Sequence, residues 1–384
     1  MTKLTKKPGY LSSDYDRPIY LAAHFGFTPI NCPKIKDIDL KLTEDCKVEV
    51  EGVKPGRVHD AAEKAAFLRM YLENEFSSLP HPLSVIYKKP QSRSHDYCLH
   101  VLGFPSAVAE AILIRTGLTI LMEEGHKRLI VEVNSVGDKD SITAYERELH
   151  SYVKKVSTDI PPEHKKKIKE DVFELLKLAL PEEIKDRLPA SIASLTSGSR
   201  AHFKEMLECL ESLGVEFKLD CTLVGNKEYT SHTIFAIRDA ESEMVLAEGA
   251  RYSRLTKRVG FKKELPSASM TIFAHAKKDG PAKIYKELPK PRFYLIHLGH
   301  EAKLKSLPLI ELLRTHRIPV YHFLGKDKIT AQLAASESLR VPYLLIVGHK
   351  EALDHTVTVR NVSTRAQDTV PMADLPDYLK HLPF

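Results

Sequence analysis

Apolar and polar positions in residues 1–281 follow two different spacings. Apolar side chains recur every three or four positions in four stretches, which predicts helices at 17–26, 59–76, 107–125 and 199–213. Short apolar runs, some of them alternating with polar residues, predict strands at 83–87, 97–102, 129–133, 229–237 and 243–247. The mixture predicts an α+β fold whose core contains an antiparallel sheet of six or seven strands.

The pattern changes twice after residue 155. Residues 156–200 open with two prolines and a lysine-rich helical stretch, which predicts a helical insert. Residues 282–291 are rich in Lys and Pro and predict a linker, whereas in residues 292–384 strands and helices alternate as in a small, mostly parallel α/β domain. We therefore expect a core at 1–281, a linker at 282–291 and a C-terminal α/β domain at 292–384.

Composition narrows the class of protein without indicating a function. The 384 residues carry a formal net charge of +6 and are 43% apolar, which suits a folded protein of two or three domains. The five cysteines lack the spacing of a zinc site or a disulfide framework, so we expect no metal site and a cytoplasmic protein. No stretch has the roughly 20 apolar residues of a membrane span, so we expect no membrane partner.

Residues 221–260 contain the best candidate for a ligand site. The strands predicted at 229–237 and 243–247 are followed by a turn of small residues at 248–250. Gly249 would let a backbone approach a ligand closely, with Arg251 and Tyr252 at the rim. This stretch is predicted to be the floor of a small-molecule site.

Several local strings resemble those of histidyl-tRNA synthetase, a class II aminoacyl-tRNA synthetase. They are FGFTPINCP at 25–33, VEVNSVGD at 131–138, LVGNKEYTSHTIF at 223–235, EGARYSRL at 248–255, and scattered positions between 298 and 351 that follow an anticodon-binding pattern. The third resembles the family's LVRGLDYYTGTVF and the fourth its GGGRYDGL. The resemblance runs from about residue 17 to the end. It implies a class II core with a helical insert, an anticodon-binding-like C-terminal domain, a homodimer and tRNA as a partner.

The resemblance also implies which side chains the chemistry needs. Activation of an amino acid by ATP gathers negative charge in the transition state, and the family places three arginines there together with Mg²⁺. The first falls near residues 85–87, where no arginine occurs; Gly225 stands at the second and Ala276 at the third. Ser269 and Phe273 replace two glycines that approach adenine. We expect a catalytically degenerate member that has lost histidine activation and needs no cofactor.

Some binding residues could remain. Four residues match the family's amino-acid pocket and would form its remnant: Glu228, Tyr229, Arg251 and Tyr252. A structural interpretation is also open, in which Arg251 pairs with Glu228. Arg57 and Asp60 stand where the family has its histidine-holding RPEGT segment. The candidate RNA contacts are Arg93, Arg314, Lys328 and Gln332. They could also be ordinary surface residues.

Three functions of different kinds remain open. The first is a non-catalytic protein that binds tRNA or regulates a protein partner. The second is an active, divergent histidine–tRNA ligase using ATP and Mg²⁺, with Lys88, Lys227 and Lys277 as replacement cations, although lysine is a poor substitute for a bidentate arginine. The third is a histidine-sensing regulatory subunit of a histidine-biosynthesis enzyme, a class that usually lacks an anticodon-binding domain.

Overall fold

A large, twisted sheet organises the N-terminal part of the protein. The computed structural model describes residues 11–46, 60–74, 76, 82–90, 95–158, 160–178, 187–273 and 284–383. The eight strands of the sheet, in chain order, are β1 Thr28–Pro29, β2 Leu83–Pro90, β3 His95–Leu102, β4 Leu129–Gly137, β5 Phe217–Leu219, β6 Ser231–Asp239, β7 Val245–Arg251 and β8 Ser267–Ile272. Their order across the sheet is β1-β2-β3-β8-β7-β6-β4-β5. All pairs are antiparallel except the two outermost, β1 with β2 and β4 with β5.

Helices pack around this sheet. They are α1 Arg17–His24, α2 Asp37–Leu42, α3 Asp60–Glu73, α4 Val108–Glu123, α5 Lys139–Lys155, α6 Pro162–Glu170, α7 Ser197–Ser212 and α8 Ser253–Val259. The predicted insert contains α6 and a 3₁₀ segment, Val172–Lys177. Helix α4 is apolar on nearly all sides and lies on one face of the sheet, where Gly117 lets it approach Met270 closely. That face of the sheet is therefore sealed by apolar packing.

A second sheet of five strands forms the C-terminal domain. Its strands are β9 Phe293–His297, β10 Val320–His322, β11 Tyr343–Val347, β12 Thr356–Asn361 and β13 Gln367–Pro371, and its helices are α9 His300–Thr315, α10 Ile329–Leu339, α11 His349–Asp354 and α12 Leu375–Lys380. Strands β10, β9 and β11 are parallel, and β12 and β13 extend the sheet antiparallel. Helix α9 contacts the core, where the Ser212 hydroxyl donates to the carbonyl of Leu304 at 2.7 Å.

The α+β class is confirmed, and the sheet has one more strand than the upper prediction. Residues 134–138 include Asn, Gly and Asp and predict a tight turn, with Asp140 or Ser141 as the cap of the helix that follows, and both predictions are wrong. Strand β4 continues to Gly137 through a bulge, and Asp138 caps α5 by accepting from the Ser141 amide at 2.9 Å. The turn predicted at 248–250 is also wrong, because these residues lie inside β7. Pairing with β6 and β8 keeps them extended. Residues 47–50, whose sequence also predicts a brief strand, lie outside the described residues.

Candidate functional site

The face of the large sheet opposite α4 carries several polar side chains among the apolar ones that pack against α3. Side chains alternate between the two faces of a strand. His100 of β3 is paired with Ser269 of β8, and Cys98 with Thr271. Their neighbours Leu99 and Met270 point instead into the apolar core with α4. The polar face is thus a platform built from β2, β3 and β8.

A buried lysine lies on this platform. Lys64 of α3 is 7% exposed and forms an ion pair with Asp60. Its Nζ lies 5.7 Å from the ring centroid of Tyr229 and 5.8 Å from that of Tyr252. The Tyr229 hydroxyl donates to Asp60 Oδ2 at 2.7 Å. These residues, together with His100, are called the Lys64 cluster below; two aromatic rings and a carboxylate form a cage suited to a cation.

His100 fixes one wall of this cage. Its Nδ1 lies 2.8 Å from the Tyr252 hydroxyl and its Nε2 lies 3.2 Å from the Tyr87 hydroxyl. Burial, followed by the charge of Lys64, lowers the pKa of His100 to about 3. The neutral ring has one N–H, so it donates to one tyrosine and accepts from the other. Burial also raises the pKa of both tyrosines, which keeps them protonated.

Charge in the cage is balanced within the chain. Burial acts to raise the pKa of Asp60, but Lys64 and the Tyr229 hydroxyl outweigh it, and the pKa lies below its ordinary value. Asp60 is therefore a carboxylate that faces the ammonium of Lys64. The sequence contained a signal for this pair, since Lys64 falls among the buried residues Ala61, Ala65 and Leu68 of one helix. A charged residue on an apolar helix stripe needs a partner.

Gly225 lies in a loop that leads into a turn at 227–229, not in a strand. The Asn226 side chain accepts from the Glu228 amide at 2.9 Å, and the Thr230 amide donates to the Asn226 carbonyl at 2.8 Å. A Cβ at Gly225 would lie 2.4 Å from Oγ1 of Thr230. With this backbone, the position where the resemblance implied an arginine cannot carry a side chain unless Thr230 moves.

The loop and turn before β6 also determine the position of Lys227, one of the candidate replacement cations. Lys227 does not share a strand face with Gly225, because β6 begins only at Ser231. The Lys227 ammonium lies 3.2 Å from Asp171 of the insert. Glu228 accepts from Arg258 at 2.8 Å. Neither side chain has a contact with the Lys64 cluster among those that the structure describes.

Arg251 lies on the other face of the sheet. Its Nη2 lies 2.6 Å from Glu110 Oε2 and its Nε 2.8 Å from Oε1, and its remaining N–H groups donate to the carbonyls of Phe104 and Ser106. The alternative interpretation, in which Arg251 pairs with Glu228, is therefore wrong. Adjacent residues point to opposite faces, so Tyr252 enters the cage while Arg251 is only 3% exposed beneath α4.

The glycine and the lysines of this region also differ from expectation. Gly249 gives room to the chain itself: a Cβ there would lie 2.2 Å from the ring of Phe235. Lys88 lies 3.0 Å from Asp16, on the face away from Tyr87. The next residue, Lys89, shares the platform face and pairs with Glu63 of α3. The alternation of side chains along β2 therefore determines which of the two lysines reaches the platform face.

Several predicted residues lie outside the described part of the chain: Arg57, Arg93, Ala276 and Lys277. Ser269 is described and 4% exposed on the platform. Phe273 follows β8, and its amide donates to the Leu246 carbonyl at 2.8 Å. Among the described residues, no group of three or more His, Cys, Asp or Glu side chains could hold a metal ion. No helix within the described ranges is long and apolar enough to cross a membrane.

The candidate RNA contacts of the C-terminal domain fall into three different environments. Lys328 is exposed just before α10. Gln332 is 0% exposed, and its amide group both accepts from and donates to the backbone of His297, at 3.1 and 2.9 Å. Arg314 faces the core and pairs with Glu311 at 2.7 Å. Of these three candidates, Lys328 alone presents its side chain at an open surface.

Comparison with known proteins agrees with this architecture. Residues 293–382 match the anticodon binding domain family. The histidine–tRNA ligase of Thermosynechococcus vestitus is 27% identical over 305 residues, 75% of this chain and 69% of that protein. The histidine–tRNA ligase of Dehalococcoides mccartyi is 26% identical over 330 residues, 81% and 78% of the two chains. Apo histidyl-tRNA synthetase from S. aureus superposes with a TM-score of 0.48 and 19% identity, covering 94% of this chain and 93% of that one.

A mainly antiparallel sheet with a polar platform, followed by an anticodon-binding domain, is the architecture of a class II aminoacyl-tRNA synthetase. Relatives of one specificity match most of the chain's length. Within the class, the similarity is to the histidyl-tRNA synthetase family, at 27% and 26% identity over these two alignments.

Proposed function

We propose that this protein is a member of the histidyl-tRNA synthetase family that does not activate histidine and acts by binding tRNA. One observation carries the first half of the proposal. The cage formed by Tyr229, Tyr252 and Asp60 already holds a cation, the ammonium of Lys64. A free amino acid would have to displace this ammonium, which is covalently attached to the chain and belongs to a buried side chain, whereas its partner Asp60 is partly exposed.

The state of the other cations supports the same proposal. Transition-state stabilisation needs positive groups aimed at the transferring phosphate. Lys88 and Lys227, two of the three candidate replacements, are engaged by Asp16 and Asp171. The Gly225 position is closed by Thr230. A ligase would need these groups to be rearranged before it could stabilise the reaction.

The second half rests on the C-terminal domain. Its sequence matches the anticodon binding domain family over residues 293–382, and the whole chain carries a net charge of +6. A positive balance favours a polyanionic partner through counterion release. The proposal also includes a homodimer and a cytoplasmic location. Tyr229 and Tyr252 are proposed to be the remnant of an amino-acid pocket.

The decisive test is histidine-dependent ATP–pyrophosphate exchange, combined with calorimetric titration of histidine, ATP and tRNA. We expect no exchange and no histidine binding by the wild-type protein, with saturable tRNA binding. Lys64→Ala empties the cage and should admit histidine weakly. Lys88→Ala is the matched control, because it removes another lysine that is paired with an aspartate.

Each contrary result points to a different function. Exchange above the enzyme-free background would establish the ligase and refute loss of activation. Histidine binding by the wild-type protein without exchange would instead identify a histidine sensor. Failure to bind tRNA would refute the RNA-binding half.

A further inference from the structure

A cavity lies between the core and the C-terminal domain. Its volume is about 320 Å³, and it is bounded by α1, the end of α4, the segment before β9 and the end of α9. The side chains that matter for its chemistry are Arg17, Tyr20, His24, Glu123, Arg314 and Arg317. We call it the interdomain arginine cavity. It is separate from the polar platform, since Tyr20 and His24 belong to α1.

The positive charge at this cavity is only partly balanced. Arg17 pairs with Glu123 at 2.8 Å. Arg314 pairs with Glu311 at 2.7 Å, but Glu311 also pairs with Arg115, so one carboxylate serves two guanidinium groups.

Arg317 adds a further charge. Within the described ranges, its side chain has no ion pair or hydrogen bond of its own, and it is exposed at the rim. Three arginines and one carboxylate therefore line the cavity, which leaves an excess of two positive charges on its wall. Arg115 and Glu311, which lie beside it, carry one charge of each sign.

His24 provides an uncommitted polar group on the cavity wall. It is 5% exposed, and its Nδ1 is buried without a hydrogen-bond partner in the described part of the chain. Burial, followed by the charges of Arg314 and Arg17, lowers the pKa of His24 to about 4. A buried nitrogen without a partner costs free energy that a bound ligand would recover.

We propose that the interdomain arginine cavity binds a phosphate group, carried either by RNA or by a small sugar phosphate. Guanidinium groups are the side chains best matched to phosphate oxygens, because each offers two parallel N–H donors. Arg317 supplies this recognition. Arg314, whose Nε and Nη2 are held by Glu311, adds its charge and its Nη1 donors, and Arg17 joins them when the anion competes with Glu123. The stacked rings of Tyr20 and Tyr285, with centroids 3.9 Å apart, form a rigid wall beside the arginines. The cavity has room for a sugar attached to the phosphate.

Arg317 offers a substitution that removes charge without threatening the fold. Its φ is 60°, in the left-handed region where glycine is favoured, so Arg317→Gly relieves backbone strain. Arg340 is a matched control, since it is also an exposed arginine, has a φ of 51° and ends a helix, α10. The two variants change net charge and backbone preference alike, but only one lies at the cavity.

The test is calorimetric titration of the full chain with inorganic phosphate and with ribose 5-phosphate. We expect saturable binding of one phosphate, weakened at least about tenfold by Arg317→Gly, the loss expected for one charged hydrogen-bonding partner, and unchanged by Arg340→Gly. Glu123→Gln should tighten binding about two- to fivefold, since it removes an exposed competing charge. Bound phosphate should also raise the pKa of His24, and NMR of its imidazole protons as a function of pH would measure this change.

A wild-type protein that shows no saturable phosphate binding, or equal weakening by the two glycine variants, would overturn the proposal. The source of the phosphate is read from tRNA binding. If RNA supplies it, Arg317→Gly weakens tRNA binding and reduces the slope of log affinity against log salt by about one. If a small molecule supplies it, both variants bind tRNA equally. Only this arm rests on the proposed tRNA binding, and a wild-type protein that binds phosphate but not tRNA would contradict the proposed function alone.

Discussion

The Arg251–Glu110 pair provides a sharp test of how this core is held together. The guanidinium is 3% exposed and the carboxylate 0%, and they share hydrogen bonds of 2.6 and 2.8 Å. Glu110→Gln keeps the shape but removes the charge, leaving Arg251 buried without a counterion. Breaking a buried pair in this way costs about 3–5 kcal/mol. For a domain of this size we expect the melting temperature to fall by roughly 6–20 °C.

A control for this experiment lies on the same helix. Glu123 also ends in a carboxylate that pairs with an arginine at 2.8 Å, but the side chains of Glu123 and Arg17 are 39% and 41% exposed. Glu123→Gln should therefore cost less than about 1 kcal/mol. Differential scanning fluorimetry of the two variants at neutral pH measures the contrast. Equal losses would refute the reasoning, because burial would then not set the cost.

Acidification should reveal the same interaction. Burial acts to raise the pKa of Glu110, but Arg251 and His202 outweigh it and hold the pKa far below the ordinary 4.5. A carboxyl whose pKa is depressed by folding stabilises the protein above its unfolded pKa and loses that contribution as the pH falls. The difference in melting temperature between wild type and Glu110→Gln should thus shrink below about pH 4.5.

Three further predictions follow from particular contacts. Gly225→Ala should destabilise the protein by about 1–3 kcal/mol through overpacking, and adding Thr230→Ala should restore most of the lost stability. If urea unfolding shows no such restoration, the assigned clash with Thr230 is contradicted. The emptied cage of Lys64→Ala should bind a small alkylammonium such as propylammonium. Propylammonium should then raise the melting temperature of this variant and leave that of the wild-type protein unchanged. An equal rise in both proteins would mean that the cage is not the binding site. Because burial raises the pKa of Cys98 to about 12, iodoacetamide at pH 8 should leave its thiol unmodified in the native protein, as read by peptide mass spectrometry; rapid labelling would show that the platform is open.

Much of the fold could be predicted from spacing alone, and the failures have specific causes. The hairpin β2–β3 and helix α4 were predicted close to their observed bounds, because long apolar patterns commit a segment locally. Helices α8 and α11 were not predicted, because they have only seven and six residues, respectively. The bulge in β4 was taken for a turn because Asn, Gly and Asp are typical turn residues.

The candidate site was only half predictable. Tyr229 and Tyr252 were singled out from their strings, and the structure brings both to one cage. Glu228 and Arg251 were grouped with them, but they point to other partners. Lys64 was not singled out. Residues adjacent in sequence need not be adjacent in a site, since side chains on a strand alternate and turns redirect the chain.

The sequence by itself determined the class of fold and the similarity to the histidyl-tRNA synthetase family, and it predicted which catalytic residues are absent, because these depend on local pattern and residue identity. Only the tertiary structure decided what occupies the resulting space. It brought Lys64 of α3 between two tyrosines that lie 165 and 188 residues further along the chain, and α1 against the end of α9. Such contacts arise from the packing of distant elements, where burial makes every unpaired charge costly and so selects its partner.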